Sequence, residues 1–523
     1  MNRIIADSEK STTDGPCAFF LGRRNVFRLL ILGCLVLSCS RGPADRNTES
    51  EGPLAAGRSD SIETQVRRFC GDCHAYPDPK TFAANQWPKE VSQGFRFYRE
   101  SGRSDLEVPD VGEVARYYID RAPETLEHAE VVTAPSKVLF ERTDVDVPSG
   151  QEMPAVSFLL GDAAGDENGA TGLLVCDMAG GRVHGATFVD RQANLTPLLQ
   201  GRNPAHVEVC DLDADGALEL LVADLGSFEP ADHDQGQLLL GSKEGTESSR
   251  EAEVLLDNVG RVADAEPADL DDDGDLDLVV AEFGWRATGQ LRLLYQDETE
   301  GEAVTFSVQT LDPRHGASHV EVIDLNGDSL LDVIALISQE HEVVAAYLQR
   351  PENVWEQQVL FSPENPAYGF SGMQLVDLDG DGDEDLLCTN GDIFDAGILK
   401  PYHGVLWLEN SGSFPFQAHQ LAEMPGAYRA VPGDIDGDSD LDIAACAFFD
   451  ETDRDFSTLI WLEQVETGEF VRHELAGNKE QFCTLELADL DGDSRLDLAV
   501  GHFVIRPVPN PKWLSVWWNQ GAQ

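Results

Sequence analysis

The chain is short of basic side chains: 37 Lys and Arg stand against 95 Asp and Glu in 523 residues, a net charge of −58. That imbalance excludes ordinary nucleic-acid binding, because a phosphate backbone would be repelled rather than neutralised. The chain also lacks an apolar stretch long enough to span a bilayer as a helix, since Leu29–Leu37 is its longest such run. It contains no Gly-x-Ser-x-Gly, P-loop, His-Glu-x-x-His or dinucleotide fingerprint, so no common hydrolase, nucleotide or zinc-protease chemistry is signalled. Methionine is scarce as well, and none lies between His74 and Met153.

What is present begins with an address. Arg23, Arg24 and Arg28 precede Leu29–Leu37, the layout of a signal-peptide n-region and h-region, so residues 1–38 are expected to be removed. The junction Val36-Leu37-Ser38-Cys39 resembles a bacterial lipobox, which implies that Cys39 becomes the lipidated first residue of an exported protein held at the periplasmic or cell-surface side of a membrane. The alternative is that Cys39 is an ordinary leader residue. Loss of the leader leaves 32 basic and 92 acidic side chains, a net of −60, so the acidity belongs to the exported part. Residues 39–60 are rich in Gly, Ser, Pro and charge without apolar periodicity and are read as a flexible tether.

Two helices are expected between residues 61 and 126. Ile62, Val66 and Phe69 share one face directly before Cys70, and Asp110 with Glu113 forms an N-terminal capping signature ahead of Val111, Val114 and Tyr118. A unit of this size is marginal as an independent core, so a staple or cofactor is expected. Between the helices stands Cys70-Gly71-Asp72-Cys73-His74. Cys-x-x-Cys-His is the attachment pattern of c-type haem: the spacing sets two thiols beside two vinyl groups and presents the histidine to iron. A redox disulfide or half a zinc site are the rival readings, but no second cysteine pair and no thioredoxin-like βαβ unit accompany the motif. The segment is similar to small cytochrome c domains, which implies one covalent haem on Cys70 and Cys73 with His74 as axial ligand. Such segments carry a Met after the Trp; here Trp87 is followed by Pro88 to Phe95 without one. His128, Met153, Lys89 or an open position are the candidates for the sixth site.

From about residue 137 onward the sequence repeats. Asp-rich loops begin at Asp211, Asp269, Asp324, Asp377, Asp434 and Asp489, at spacings of 58, 55, 53, 57 and 55 residues. A period of this length with several short strands per unit predicts propeller blades. A weaker unit at 156–201 makes seven, and the segment 137–142 is expected to pair with the strand-short last blade and close the ring. The fold class is therefore mainly β: a seven-bladed propeller over 137–523 preceded by a small helical domain.

Each loop follows the form Asp-x-Asp-x-Asp-x-x-x-Asp. The candidate metal ligands are Asp211, Asp213, Asp215 and Glu219; Asp269, Asp271, Asp273 and Asp277; Asp324, Asn326, Asp328 and Asp332. The later loops supply Asp377, Asp379, Asp381 and Asp385; Asp434, Asp436, Asp438 and Asp442; Asp489, Asp491, Asp493 and Asp497. Alternate carboxylates converging on a tight turn suit a hard cation, and Ca²⁺ in up to six loops is expected. The competing reading is turn capping by side-chain hydrogen bonds. The twelfth loop positions are strand residues such as Val222 and Val280, which excludes EF-hands.

On these loops the chain resembles the FG-GAP or VCBS repeat family, the propeller type also found in integrin α subunits, and Phe283-Gly284 echoes its FG element. The resemblance implies structural calcium loops and a frequent use in binding. Cys176, Cys210, Cys388, Cys446 and Cys483 lie in apolar strands and are read as small buried hydrophobes, with up to two disulfides as the alternative. Six tryptophans, Trp285, Trp407, Trp461, Trp513, Trp517 and Trp518, are expected to wedge between blades. Three functions compete. The leading one is an electron-transfer protein with a haem domain and a propeller that meets a redox or extracellular partner; a periplasmic enzyme oxidising a sugar or alcohol and a non-redox adhesion module are the others.

Overall fold

The computed structural model describes residues 60–522, apart from 163–170, 244–251, 298–303, 394–396, 450–455 and 478–479. The leader, Cys39 and most of the tether lie outside the described residues. Among the described residues no helix is long and apolar enough to cross a membrane.

Three α-helices come first: α1 (Ile62–Cys70), α2 (Trp87–Glu100) and α3 (Val111–Ile119). Ser61 caps α1 through Thr64 N, and Asp110 caps α3 through Glu113 N. The segment expected to be irregular between two helices instead contains the longest of the three. Its apolar face is Trp87, Val91, Phe95 and Tyr98, spaced by helical turns, and Pro88 sits in its first turn, where its missing N–H is not needed. Trp87 stacks on Tyr118 at 3.8 Å between centroids and donates its indole N–H to the Pro79 carbonyl at 3.0 Å. Ten buried residues, six of them aromatic besides Trp87, make this small core. Aromatic bulk is how so short a segment buries enough surface.

Seven four-stranded antiparallel sheets follow. Blades I to VI run over 156–200, 204–259, 262–312, 317–361, 370–423 and 427–477. Blade VII takes three strands from 482–522 and its outermost from the beginning of the propeller, β1 (Val138–Asp146). β1 lies antiparallel to Lys512–Ala522, with Thr143 opposite Val516 and Val145 opposite Leu514. The ring is thus closed by joining its two sequence ends, and no open edge remains at the seam.

The second strand of most blades is buried on both faces, as in Asp332–Ile337 and Asp442–Ala447, and reads as a continuous apolar run. Each apolar cluster of the propeller body draws on two neighbouring blades. Trp407 packs between blades V and VI, Trp461 and Trp517 between VI and VII, and Trp513 and Trp518 between VII and I. Trp285 departs from that pattern: it sits in a surface loop beside Arg286, where the helices dock. The five propeller cysteines are buried and free.

Candidate functional site

The six Asp loops each connect the innermost strand of a blade to its second strand, so all six emerge at one end of the propeller. Within a loop the first carboxylate closes the turn: Asp211 Oδ2 accepts from Gly216 N at 3.0 Å, and Asp269 Oδ2 from Gly274 N at 3.1 Å. Left-handed backbone at Gly216, Gly274 and Gly382 lets the chain fold back there. The third position and, depending on the loop, the fifth or the ninth bring an oxygen into the same space. In four loops the candidate ligand atoms lie within 4.8 Å of one another: Asp211, Asp213 and Glu219; Asp269, Asp271 and Asp273; Asp377, Asp379 and Asp381; Asp434, Asp436 and Asp442.

The ninth residue behaves differently. Asp277, Asp332, Asp385, Asp442 and Asp497 are fully or almost fully buried. One oxygen of each accepts from the loop's own second residue and the other from a backbone N–H at the end of the third strand. For Asp385 these are Leu378 N at 3.2 Å and Asn410 N at 2.7 Å, with Trp407 Nε1 adding a third at 2.8 Å. The ninth carboxylate therefore pins the loop to the blade, a role the spacing alone does not distinguish from ligation. Burial, reinforced by its acidic neighbours, pushes Asp385 up to about 6 and Asp442 up to about 7.

Capping hydrogen bonds do not use every oxygen. Asp211 Oδ1, Asp377 Oδ1, Asp436 Oδ1 and Asp491 Oδ1 are buried without a partner. Burial and the neighbouring carboxylates also raise Asp271, Asp379 and Asp436 above the ordinary range. Orphaned oxygens within a like-charged cluster fit a hard divalent cation. Two loops already contain a counter-charge. Arg350 Nη1 reaches Asp328 at 3.3 Å, and in the last loop Arg191 pairs with Asp491 at 3.0 Å while Arg495 pairs with Asp493. The corresponding segment of blade I falls at 163–170, outside the described residues.

The haem-type motif lies at the other end of the propeller. Loops joining second to third strands, and those between blades, emerge opposite the Asp loops, and these are the ones the helices touch. Arg286 of blade III sits 3.9 Å from the Phe97 ring centroid and 3.7 Å from Glu100, Thr81 meets Asn365 at 3.5 Å, and Ala367 and Ile398 of blade V pack on the helical core. Cys70 ends α1, half-buried, and Cys73 is exposed on the turn that follows; neither is in a disulfide. His74 Nδ1 is 2.7 Å from the Ala75 carbonyl, which fixes the ring and leaves Nε2 for a ligand. Arg103 bonds Asp72 at 2.5 Å and Cys73 Sγ at 3.3 Å, holding the turn. Tyr118 Oη is buried beside Cys70. Two uncrosslinked thiols and an oriented histidine are a donor set that fits covalent haem. His128 is engaged elsewhere: its Nδ1 meets Glu423 Oε1 at 3.0 Å and its ring packs on Phe456.

The family model of the FG-GAP-like repeat matches four overlapping segments, residues 211–280, 269–335, 324–388 and 377–445. This chain carries FG-GAP-like repeats. The matched segments start on the first Asp of successive loops, so the family signal and the loop period coincide. No curated protein matches the chain. A propeller with FG-GAP-like repeats suggests a binding or scaffold module, and its repeats also set the central channel. Counting back three residues gives Glu208, Glu266, Glu321 and Glu486 in four of the six loops, and counting back five gives His206, Asp264, His319 and Arg429 in four of them. His206 Nδ1 lies 2.6 Å from Asp264 Oδ1 of the next blade, and Arg429 reaches to 4.0 Å from Glu486. Burial pushes Glu321 up to about 8 and drives His319 down to about 4. His206 and His319 thus both face this channel. Ala155, Met178, Leu225, Phe448, Cys483 and Phe503, drawn from blades I, II, VI and VII, form an apolar cluster.

Proposed function

We propose that the mature chain is an exported, lipid-anchored monohaem c-type protein working in electron transfer, with the calcium-braced propeller as scaffold and partner-binding surface. The observation that carries this reading is the Cys70, Cys73 and His74 donor set, uncrosslinked and oriented on one end of the propeller while the Asp loops occupy the other. A haem bound there supplies a one-electron ferrous/ferric couple. The two thiols of the chain hold it permanently, and the Ala75 carbonyl keeps the His74 imidazole in one tautomer. Arg103 and the cap of α1 hold the turn so that thiols and imidazole stay together. At the far end the carboxylates of the loops bind Ca²⁺, which offsets part of the charge of −60. Cys39 supplies the membrane tether, and the acidic surface favours a cationic redox partner.

The apolar cluster around Phe448 and Phe503 offers a small polar substrate no hydrogen-bonding partners, so the electron carrier is preferred to the sugar- or alcohol-oxidising enzyme. Expression with a cytochrome c maturation system, followed by mass spectrometry of the peptide containing Cys70 and Cys73, tests the proposal. One covalent haem that cycles between reduced and oxidised spectra is expected. A chain that emerges without haem under those conditions overturns it, and an extractable quinone would move the reading to the enzyme.

A further inference from the structure

We propose that His315, Glu340 and His341 form a binding site for a divalent first-row transition metal, with zinc as the reference ion, on the blade IV end beneath the helices. The three residues come from two loops. His315 stands between blades III and IV, and Glu340 and His341 sit in the tight turn after strand Asp332–Ile337. His315 Nε2 is 2.9 Å from Glu340 Oε2, the two imidazole centroids are 5.1 Å apart, and one ligand atom from each residue falls within 4.8 Å of the others. Metal bonds of about 2.0–2.1 Å place neighbouring ligand atoms roughly 3 Å apart, so small side-chain rotations complete the set.

The existing bonding leaves the donors available. His315 Nε2 is close to Glu340 but off-line for a hydrogen bond, and His341 Nε2 is buried with no partner at all. Unused ring nitrogens beside a carboxylate are costly unless something positive joins them. The neighbouring Arg314 is occupied: it is clamped on Asp312 at 2.7 Å. The turn that presents Glu340 and His341 has left-handed backbone at both flanks, Gln339 at φ 59° and Glu342 at φ 43°, a conformation unfavourable for these residues that the surrounding blade maintains. Two imidazoles and one carboxylate are borderline donors that suit zinc, iron or copper, in contrast to the all-oxygen Asp loops suited to calcium. Glu340 is also close enough to Cys73 for its charge to act on that thiol, so an ion here would lie next to the turn carrying the haem-type motif.

The test uses the full mature chain with haem attached, in millimolar Ca²⁺ to fill the Asp loops, titrated with Zn²⁺ by calorimetry and against a chromophoric chelator. One zinc site is expected, weakened at least ten-fold in each of His315→Gln and His341→Gln and unchanged in Asp379→Asn. X-ray absorption at the zinc edge of the wild-type protein should show nitrogen and oxygen neighbours at about 2.0–2.1 Å, which covers the event that a variant fails to fold. Zinc binding that both histidine variants retain, or an all-oxygen edge spectrum, overturns the site. A haem spectrum altered by His341→Gln, together with zinc binding only when Cys70 and Cys73 are replaced by Ser, would assign the histidines to the haem and also overturn it. A chain without haem that still binds zinc keeps this site and rejects the haem reading, so the two proposals fail separately.

Discussion

Glu321 illustrates how a single inward-facing side chain couples this propeller to pH. Burial on the innermost strand of blade IV pushes its carboxyl up to about 8, with Asp264 and Glu208 opposing ionisation further and His206 easing it. Because the folded pKa lies above the unfolded one, the protonated form stabilises the fold fully below about pH 4. That contribution declines as pH rises and is lost on passing about 8. Glu266 and Glu486 are raised in the same direction by burial, whereas His319, kept neutral by burial, acts in the opposite sense as pH falls. In saturating calcium, Glu321→Gln should match the wild type near pH 4.5 and melt several degrees higher near pH 8, since a gap of roughly four pH units is worth a few kcal/mol and each moves a large domain by a few degrees. Parallel melting curves across that range would show that Glu321 stays ionised and paired.

At the level of the element, the Asp loop combines two functions that its sequence pattern merges. The ninth carboxylate accepts the backbone N–H groups that pin the loop, whereas residues at the first and third positions retain oxygens without partners. Replacing a third-position residue should therefore remove a cation and spare the anchor. Asp379→Asn, in a loop where no arginine pairs among the described residues, should lose one bound calcium and lower the melting temperature of the calcium-loaded protein. Asp491→Asn, whose native partner is Arg191, should change calcium content much less. Calcium counting by mass spectrometry under native conditions, beside melting curves with and without chelator, checks both. Equal calcium content in all three proteins would reduce the loops to capped turns. The blades and loops were legible because a period of 53 to 58 residues is enforced by identical packing at every interface. The channel residues were not read from the sequence, although they recur at fixed offsets before most of the loops. Helix α2 was less legible than the blades, since Pro88 and Gly94 interrupt a helical reading that only Trp87, Val91, Phe95 and Tyr98 support. Nothing in the repeat announces His315, Glu340 and His341, because other blades place unrelated residues there and the cluster exists only where two loops meet.

For the whole molecule, the decisive contact is the seam at which chain positions nearly 400 residues apart share one sheet. β1 supplies the outer edge of blade VII, and its side chains fasten more than the backbone ladder. Trp518 Nε1 donates to Thr143 Oγ1 at 2.9 Å, Arg142 reaches Glu480 at 2.7 Å and Ser515 at 3.0 Å, and its guanidinium lies 4.7 Å from the Trp517 ring centroid. Without β1, the strand Lys512–Ala522 would become an exposed edge bearing unpaired backbone groups, a template for another chain. Two truncations separate this closure from the loss of the helices. A chain beginning at residue 127 keeps β1 and should form a monomeric, calcium-responsive propeller. A chain beginning at residue 148 lacks it and should melt at a distinctly lower temperature and associate through the open edge. Size-exclusion chromatography with light scattering and thermal melting compare the two directly. If the shorter chain were monomeric and as stable as the longer, the ring would be held by blade-to-blade packing alone, with β1 as an ornament on its rim.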